Sequence, residues 1–386
     1  MRRFILGCGL AAILAGTALA DNPQFTGADP HAVFIGNELW IFPTGGPGGS
    51  WAADRFGAFS SRDLRRWRAR GELIRRDQIT WIQEDGAPAH FLWAPAIATR
   101  GGRYYLYFSV GPQNPTPSRI GVAVADRPEG PYRDFGHPLI DDGGHGFEAI
   151  DPMVFVDPRT GKAFLYAGGS AGAKLRLWEL RADMTSIARE VPVATPPRFT
   201  EGAFMHVRGG TYYLSYSHGR WNGPDYSVHY ATARSPTGPW VYRGAVLRSD
   251  ARHQGPGHHS FVRTPYGEWL IVYHRWERAR GPGPYVGKRQ IAIDRVRYAG
   301  DGKIRPVVMT DGTAAPTLRK DLTAPRSPKR AFSRRSSRPA RLDRCDNIEP
   351  FAGWRWDSRS SRAVPSDATE NWLAVWSQGI PGPLTS

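Results

Sequence analysis

The sequence predicts an all-β protein, a five-bladed β-propeller, on three observations. Five segments repeat one pattern: a polar or small opening, a short apolar strand, a glycine turn and an aromatic-rich returning strand. A fixed internal repeat of this kind decides the architecture before any single motif does. A second motif echoes between repeats at the same offset, and helical periodicity of 3.6 residues is nearly absent, which favours a propeller over a sandwich or barrel. Aromatic residues at 12% and 44 glycines suit strands joined by many tight turns.

The elements follow in chain order. Met1-Arg2-Arg3-Phe4, an apolar run from Ile5 to Leu14 and Ala18-Leu19-Ala20 form the pattern of a secretory signal peptide. Residues 1–20 are therefore expected to be removed and the mature protein to be secreted or periplasmic. Cys8 lies too early in the run for a lipoprotein signal, and cleavage after Ala20 leaves Cys345 as the single cysteine, so no intrachain disulfide is expected. No later segment approaches the roughly 18 apolar residues a membrane helix needs.

Residues 21–312 carry the five hairpins. They run from Ala28-Asp29-Pro30 to Phe42, from Trp93-Ala94-Pro95 to Tyr107, from Ile150-Asp151-Pro152 to Tyr166, from Thr200-Glu201-Gly202 to Tyr216, and from Gly257-His258-His259 to Tyr273. Each has a glycine at its turn: Gly36, Gly101-Gly102, Gly161, Gly209-Gly210 and Gly267. The openings at Asp29, Pro95, Asp151, Glu201 and His258 lie 50 to 66 residues apart, which suits one four-stranded blade per interval. Ala125-Asp126-Arg127-Pro128-Glu129-Gly130-Pro131-Tyr132 is matched by Ala233 to Trp240, and Phe59 to Trp67 takes the same place in the first repeat. These segments predict the outer hairpins of blades. Residues 313–386 are expected to form an Arg/Pro/Ser-rich linker and a disordered tail, since Pro325 to Arg344 cannot bury enough apolar surface to offset ordering entropy. Trp354, Trp356, Trp372 and Trp376 follow within that tail.

The net charge of +16 invites a nucleic-acid reading. Its distribution argues otherwise: residues 21–312 hold 36 Lys+Arg against 28 Asp+Glu, so half of the excess lies outside the repeats. Neither a nucleic acid nor a membrane is expected as a partner. Gly45-Gly46-Pro47-Gly48-Gly49 has no lysine and opens no helix, no Cys/His cluster has zinc spacing, and no Gly-x-Ser-x-Gly elbow is present.

In a propeller, repeat openings converge on the central axis, so the repeat places Asp29, Asp151, Glu201 and His258 at one funnel. Carboxyl groups gathered there repel one another and are partly buried, an arrangement that marks a site more often than a scaffold. Cleaving a glycosidic bond needs one carboxylic acid to protonate the leaving oxygen and one carboxylate to activate water or attack the anomeric carbon. Aromatic rings stack on sugar faces. Trp93 is the first candidate for that role, with Phe34, Phe91, Phe204 and Trp221 behind it, and Asp141 to Phe147 and His218 to Tyr226 are expected to shape the rim.

The motifs around Gly27-Ala28-Asp29-Pro30, Leu92-Trp93-Ala94-Pro95, Ala149-Ile150-Asp151-Pro152, Phe199-Thr200-Glu201-Gly202 and Gly255-Pro256-Gly257-His258-His259-Ser260 resemble the successive blade motifs of glycoside hydrolase family 43. The resemblance covers about residues 25–312. It implies Asp29 as general base, Asp151 as the residue that orients the acid and raises its pKa, Glu201 as general acid, and inversion at the anomeric carbon. It also implies that Arg289 lies near the sugar in the catalytic subsite. His258 would contact substrate or hold a water on the axis and, through water, a structural Ca2+, with no cofactor required for the reaction. Many members carry an acid after the Trp-Ala-Pro of the second blade, where this chain has Ala96, which leaves the substrate open. The expected activity is an exo-acting α-L-arabinofuranosidase on plant cell-wall side chains or oligosaccharides, working as a monomer. β-Xylosidase, arabinanase and exo-galactosidase activities occur on the same scaffold. A non-catalytic carbohydrate-binding propeller and a retaining invertase-like hydrolase are the alternatives from other classes; three intact acids count against the first, and the Gly27-Ala28 before Asp29 against the second.

Overall fold

A computed structural model describes residues 22–45, 52–112, 114–312, 316 and 318. The expected signal peptide with Cys8, most of the Gly45–Gly49 run, Cys345 and the C-terminal tryptophans lie outside the described residues. Among the described residues there is no α-helix; one 3-10 turn spans Arg76–Gln78. No helix there is long and apolar enough to cross a membrane.

Twenty strands form five antiparallel sheets of four. Blade 1 is β2 (Ala28–Ile35), β3 (Glu38–Thr44), β4 (Arg55–Ser61) and β5 (Arg68–Arg75). Blade 2 is β6 (Phe91–Arg100), β7 (Arg103–Gly111), β8 (Arg119–Ala125) and β9 (Arg133–Asp134). Blade 3 is β10 (Met153–Val156), β11 (Ala163–Ala167), β12 (Arg176–Leu180) and β13 (Ile187–Glu190). Blade 4 is β14 (Glu201–Arg208), β15 (Thr211–His218), β16 (Ser227–Ala233) and β17 (Val241–Leu247). Blade 5 is built from β18 (His253–Arg263), β19 (Trp269–Glu277) and β20 (Gln290–Val296), and its fourth strand is the N-terminal β1 (Phe25–Thr26). The echoed segments fall where the sequence places them, between β8 and β9, between β16 and β17, and between β4 and β5.

Glycines set the tightest hairpins. Gly101-Gly102 and Gly209-Gly210 both hold positive φ at each residue (59° and 78°; 55° and 78°), the backbone a two-residue primed turn requires. Register then follows: Arg100 pairs with Arg103 and Arg208 with Thr211.

The core lies between blades. Trp40, Phe42 and Phe56 of blade 1 meet Leu92, Leu106 and Phe108 of blade 2. Tyr107 and Val122 meet Leu165 and Trp178 of blade 3. A larger layer joins Tyr166, Leu214, Tyr230 and Tyr273 across blades 3, 4 and 5, and Ile41 and Leu39 meet Val272 and Ile293 to close the ring. Both faces of most strands are covered, so the strands read as apolar runs rather than strict alternations. Pro316 and Leu318 lie beyond the boundary expected at residue 312: Pro316 is buried, and Leu318 packs on the layer that closes the ring.

Candidate active site

Each innermost strand opens with the same backbone device. Asp29, Ala94, Asp151, Gly202 and His258 all have positive φ, at 47°, 47°, 57°, 62° and 36°. In four blades a register shift accompanies it, between Ala28 and His31, Trp93 and Ala96, Glu201 and Phe204, and Gly257 and His259. The amide freed by each kink is received by the preceding blade. The N–H of Asp29 donates to His274 Nδ1 (3.1 Å), that of Ala94 to Thr44 Oγ1 (2.7 Å), that of Asp151 to Ser109 Oγ (2.8 Å) and that of His258 to Ser217 Oγ (2.9 Å). In the fourth blade the amide of Gly202 donates to the Asp151 carboxylate. Left-handed backbone at Ala and His is strained by about 1–3 kcal/mol each, and such strain clusters at functional sites.

This register corrects the alignment of the repeat openings. The residues equivalent to Asp29 are Ala94 and Gly202, not Pro95 and Glu201. Glu201 is one position earlier, matching Trp93 and Gly257, because the bulge inserts a residue that sequence alone does not show.

The structure brings Asp29, Asp151, Glu201, His258 and Arg289 together. Arg289 Nη1 donates to Asp29 Oδ1 at 2.7 Å, and its guanidinium lies 5.0 Å from the centre of the Trp221 ring. His258 Nδ1 stands between two carboxylates, 3.5 Å from Asp29 Oδ1 and 3.4 Å from Asp151 Oδ2. Tyr226 Oη donates to Glu201 Oε1 at 2.7 Å. All three carboxyl residues are less than a tenth exposed.

Their environments separate them. Burial pushes Asp29 upward, but Arg289 and then His258 and His274 overcome it and hold the carboxyl well below the usual range. Burial raises Asp151 well above that range, and Glu201 and Asp29 add to the effect. Burial pushes Glu201 up to about 7; Tyr226 opposes this and the charges of Glu148 and Asp29 add to it. The site therefore sets one carboxyl held low beside two held high, the signature of an acid–base pair.

Trp93 lies one residue before Ala94 at the start of β6, in a partly exposed position, and packs at 6.3 Å on Phe91. Gly111 makes room for it: a Cβ there would overlap the indole. Phe34 is not brought to the site. It pairs with Leu39 beside the Gly36 turn, five strand residues or roughly 17 Å from Asp29, and packs on the layer between blades 5 and 1. Phe204 is buried and faces His31 and His259. Three residues missed in the sequence matter here. Tyr226, expected only as rim, donates to Glu201; His274 receives the Asp29 amide; Glu148, buried three residues before Asp151, acts electrostatically on both Asp151 and Glu201. None of them sits at a repeat opening, so no periodicity marks them.

An axial calcium ion would need six to eight oxygens. Around His258 stand the imidazoles of His31, His259 and His274, and its two carboxylate neighbours already bond Arg289 and the Gly202 amide. This donor set does not fit a protein-ligated Ca2+, and His258 belongs to no ligand group among the described residues. The one such group there is His253, Glu277 and Asp311. Arg275 already donates to both of its carboxylates, at 2.6 Å to Glu277 and 3.1 Å to Asp311.

A family model described as Glycosyl hydrolases family 43 matches residues 22–304. The chain belongs to glycosyl hydrolase family 43. Among its family 43 relatives, a beta-D-galactofuranosidase of Aspergillus niger is 36% identical, over 80% of this chain and 91% of that protein. A xylosidase/arabinosidase of Humicola insolens is 31% identical, over 61% and 78%. The solved structure of an α-L-arabinofuranosidase from Clostridium thermocellum superposes with a TM-score of 0.58 at 32% identity, covering 74% of this chain and 95% of that one. Membership makes the chain a glycosidase that hydrolyses O-glycosyl bonds. Inverting action on plant polysaccharides accords with family and site, and the particular sugar is a separate question.

Proposed function

We propose that this family 43 enzyme is an exo-acting α-L-arabinofuranosidase in which Asp29 is the general base, Glu201 the general acid and Asp151 the residue that orients Glu201. The observation that carries the roles is the opposite tuning of Asp29 and Glu201 within one buried funnel.

In the reaction, protonated Glu201 gives its proton to the glycosidic oxygen as the bond to the anomeric carbon breaks. A water molecule on the opposite face attacks that carbon and passes its proton to Asp29. The released sugar has inverted configuration; Asp29 then returns its proton to solvent and Glu201 is reprotonated. The transition state resembles an oxocarbenium ion, so the attacking water needs little help. For Asp29, staying ionised beside Arg289 matters more than being strongly basic. Trp93 supplies an aromatic wall, and His258, between Asp29 and Asp151, fixes the spacing of the two carboxylates.

A specific observation favours β-D-galactofuranosides as second substrate: the relative at 36% identity bears that name. α-L-Arabinofuranose and β-D-galactofuranose share the ring configuration and differ in the exocyclic arm, so one pocket can seat both rings. We also propose export through the leader at residues 1–20, action as a monomer, and a carbohydrate as the partner; N-terminal sequencing of the mature protein tests the first.

The deciding experiment is hydrolysis of aryl α-L-arabinofuranoside, β-D-galactofuranoside, β-D-xyloside and β-D-galactopyranoside by the chain and its Glu201→Gln variant. Turnover of the arabinofuranoside that falls at least 100-fold in the variant is expected for an aryl glycoside dependent on acid assistance. Silence on all four would replace the exo-hydrolase reading with an endo-acting enzyme or a binding propeller.

A further inference from the structure

Glu148 is a buried carboxyl that the proposed reaction does not use. The residue is 3% exposed and lies three residues before Asp151, on the segment that leads into β10. Its Oε2 is clamped: the amide of Ala171 donates to it at 2.8 Å and the hydroxyl of Ser170 at 3.4 Å. Gly169 permits the approach, since a Cβ there would stand 2.5 Å from that oxygen. Its Oε1 takes no hydrogen bond from the described residues and keeps a small accessible surface within an otherwise buried residue. Its backbone carbonyl accepts the Ile150 amide at 3.0 Å, a turn that runs directly into Asp151, and its charge acts on both Asp151 and Glu201.

The surrounding loop is built to hold still. Gly144 and Phe147 exchange backbone hydrogen bonds at 2.7 and 2.9 Å. Arg176 lies 4.6 Å from the Phe147 ring centre and pairs with Asp142 at 2.7 Å. A carboxylate with one oxygen fixed by two donors and the other open, in a wall beside the reacting groups, is an acceptor oriented before anything binds.

We propose that Glu148 is a specificity-determining residue whose Oε1 accepts a hydrogen bond from a hydroxyl of the sugar held against Asp151 and Glu201. This rests on the glycosidase reading and adds a polar contact that selects among furanosides. A site that hydrogen-bonds a substrate hydroxyl rejects the analogue lacking it, because the buried acceptor is left unpaired.

The test compares the chain with its Glu148→Gln variant, which keeps an oxygen for the Ala171 amide, on 4-nitrophenyl α-L-arabinofuranoside and its 2-, 3- and 5-deoxy analogues. The native chain is expected to lose roughly 10- to 100-fold in kcat/KM on one deoxy analogue. The variant is expected to lose a similar factor on the parent glycoside and to show no further loss on that analogue. Equal discrimination by both proteins overturns the proposal. A second measurement needs no turnover: binding of the parent glycoside to Glu201→Gln and to the Glu148→Gln/Glu201→Gln double variant. Binding at least tenfold weaker in the double variant supports the contact, and equal binding overturns it. Loss of binding together with an absence of hydrolysis by the native chain would sink the hydrolase reading alone. Melting midpoints within about 2 °C of the parent proteins verify that each variant keeps its fold.

Discussion

Asp29 and Glu201 are buried to a similar degree, and the groups around them separate their acidities. Arg289 bonds Asp29 directly, while among the described residues the side-chain donor to Glu201 is a neutral phenol, Tyr226. The acid is competent below its pKa, so kcat/KM should decline tenfold per pH unit above about 7, with no carboxylate limb in the ordinary range on the acid side. Removing the phenol in Tyr226→Phe takes away the group that lowers Glu201, and the alkaline limb should move to higher pH; a limb that stays or moves down contradicts the assignment. Stability carries the same information. A carboxyl raised from 4.5 to about 7 in the fold binds a proton that the unfolded chain has released. Its contribution, about 3 kcal/mol, is complete below pH 4.5 and lost as pH rises through 7. Glu201→Gln cannot ionise, so it should be more stable than the native chain at pH 8 and about equal at pH 4, as read by urea unfolding at the two pH values.

At the scale of the strand, the kinked openings depend on groups from the neighbouring blade. Ser109→Ala and Ser217→Ala each remove the acceptor of a buried amide, at Asp151 and His258, and should cost about 1–3 kcal/mol with a larger relative loss of kcat than of stability. Gly257→Ala would press a methyl group into the Tyr226 ring and should reproduce the pH shift of Tyr226→Phe without replacing a titratable side chain. These elements also mark how far the sequence could be read. Hairpin openings repeat because every blade needs the same inner strand, so Asp29, Asp151, Glu201 and His258 could be gathered at one funnel before any coordinates. The bulge that makes Gly202 and Ala94 the true equivalents of Asp29 was hidden, because a two-residue motif reads the same with either register. Phe34 looked like a sugar contact since strand aromatics carry no sign of which end of the strand faces the funnel. Glu148, Tyr226 and His274 reach the site from loops and second strands, where tertiary packing rather than periodicity decides what a side chain meets.

Over the whole molecule, the ring is closed by both ends of the described chain. β1 pairs with β20, and Asn22 and Gly312 form an antiparallel bridge. Asn22 is buried and gives Nδ2 to Ile293 O at 2.8 Å and Thr310 Oγ1 at 2.9 Å, while its Oδ1 receives the Ile293 amide at 3.0 Å. Buried Arg275 holds Thr310 O at 3.0 Å and Asp311 at 3.1 Å from the same side. Asn22→Ala strands two backbone groups of β20 and should cost about 2–4 kcal/mol, lowering the melting midpoint by roughly 5–10 °C. The last of the described residues, Pro316 and Leu318, are packed, and the Leu318 amide approaches Asp63 O at 3.4 Å. A chain ending at Ala324 keeps every one of these closures. If the propeller is the complete folding unit, that truncation should melt within about 2 °C of the full chain and retain its kcat/KM on an aryl arabinofuranoside. A fall in the midpoint would show that residues 325–386 bury part of the propeller. A fall in kcat/KM on arabinoxylan with the aryl glycoside rate intact would instead assign them to holding the polymer.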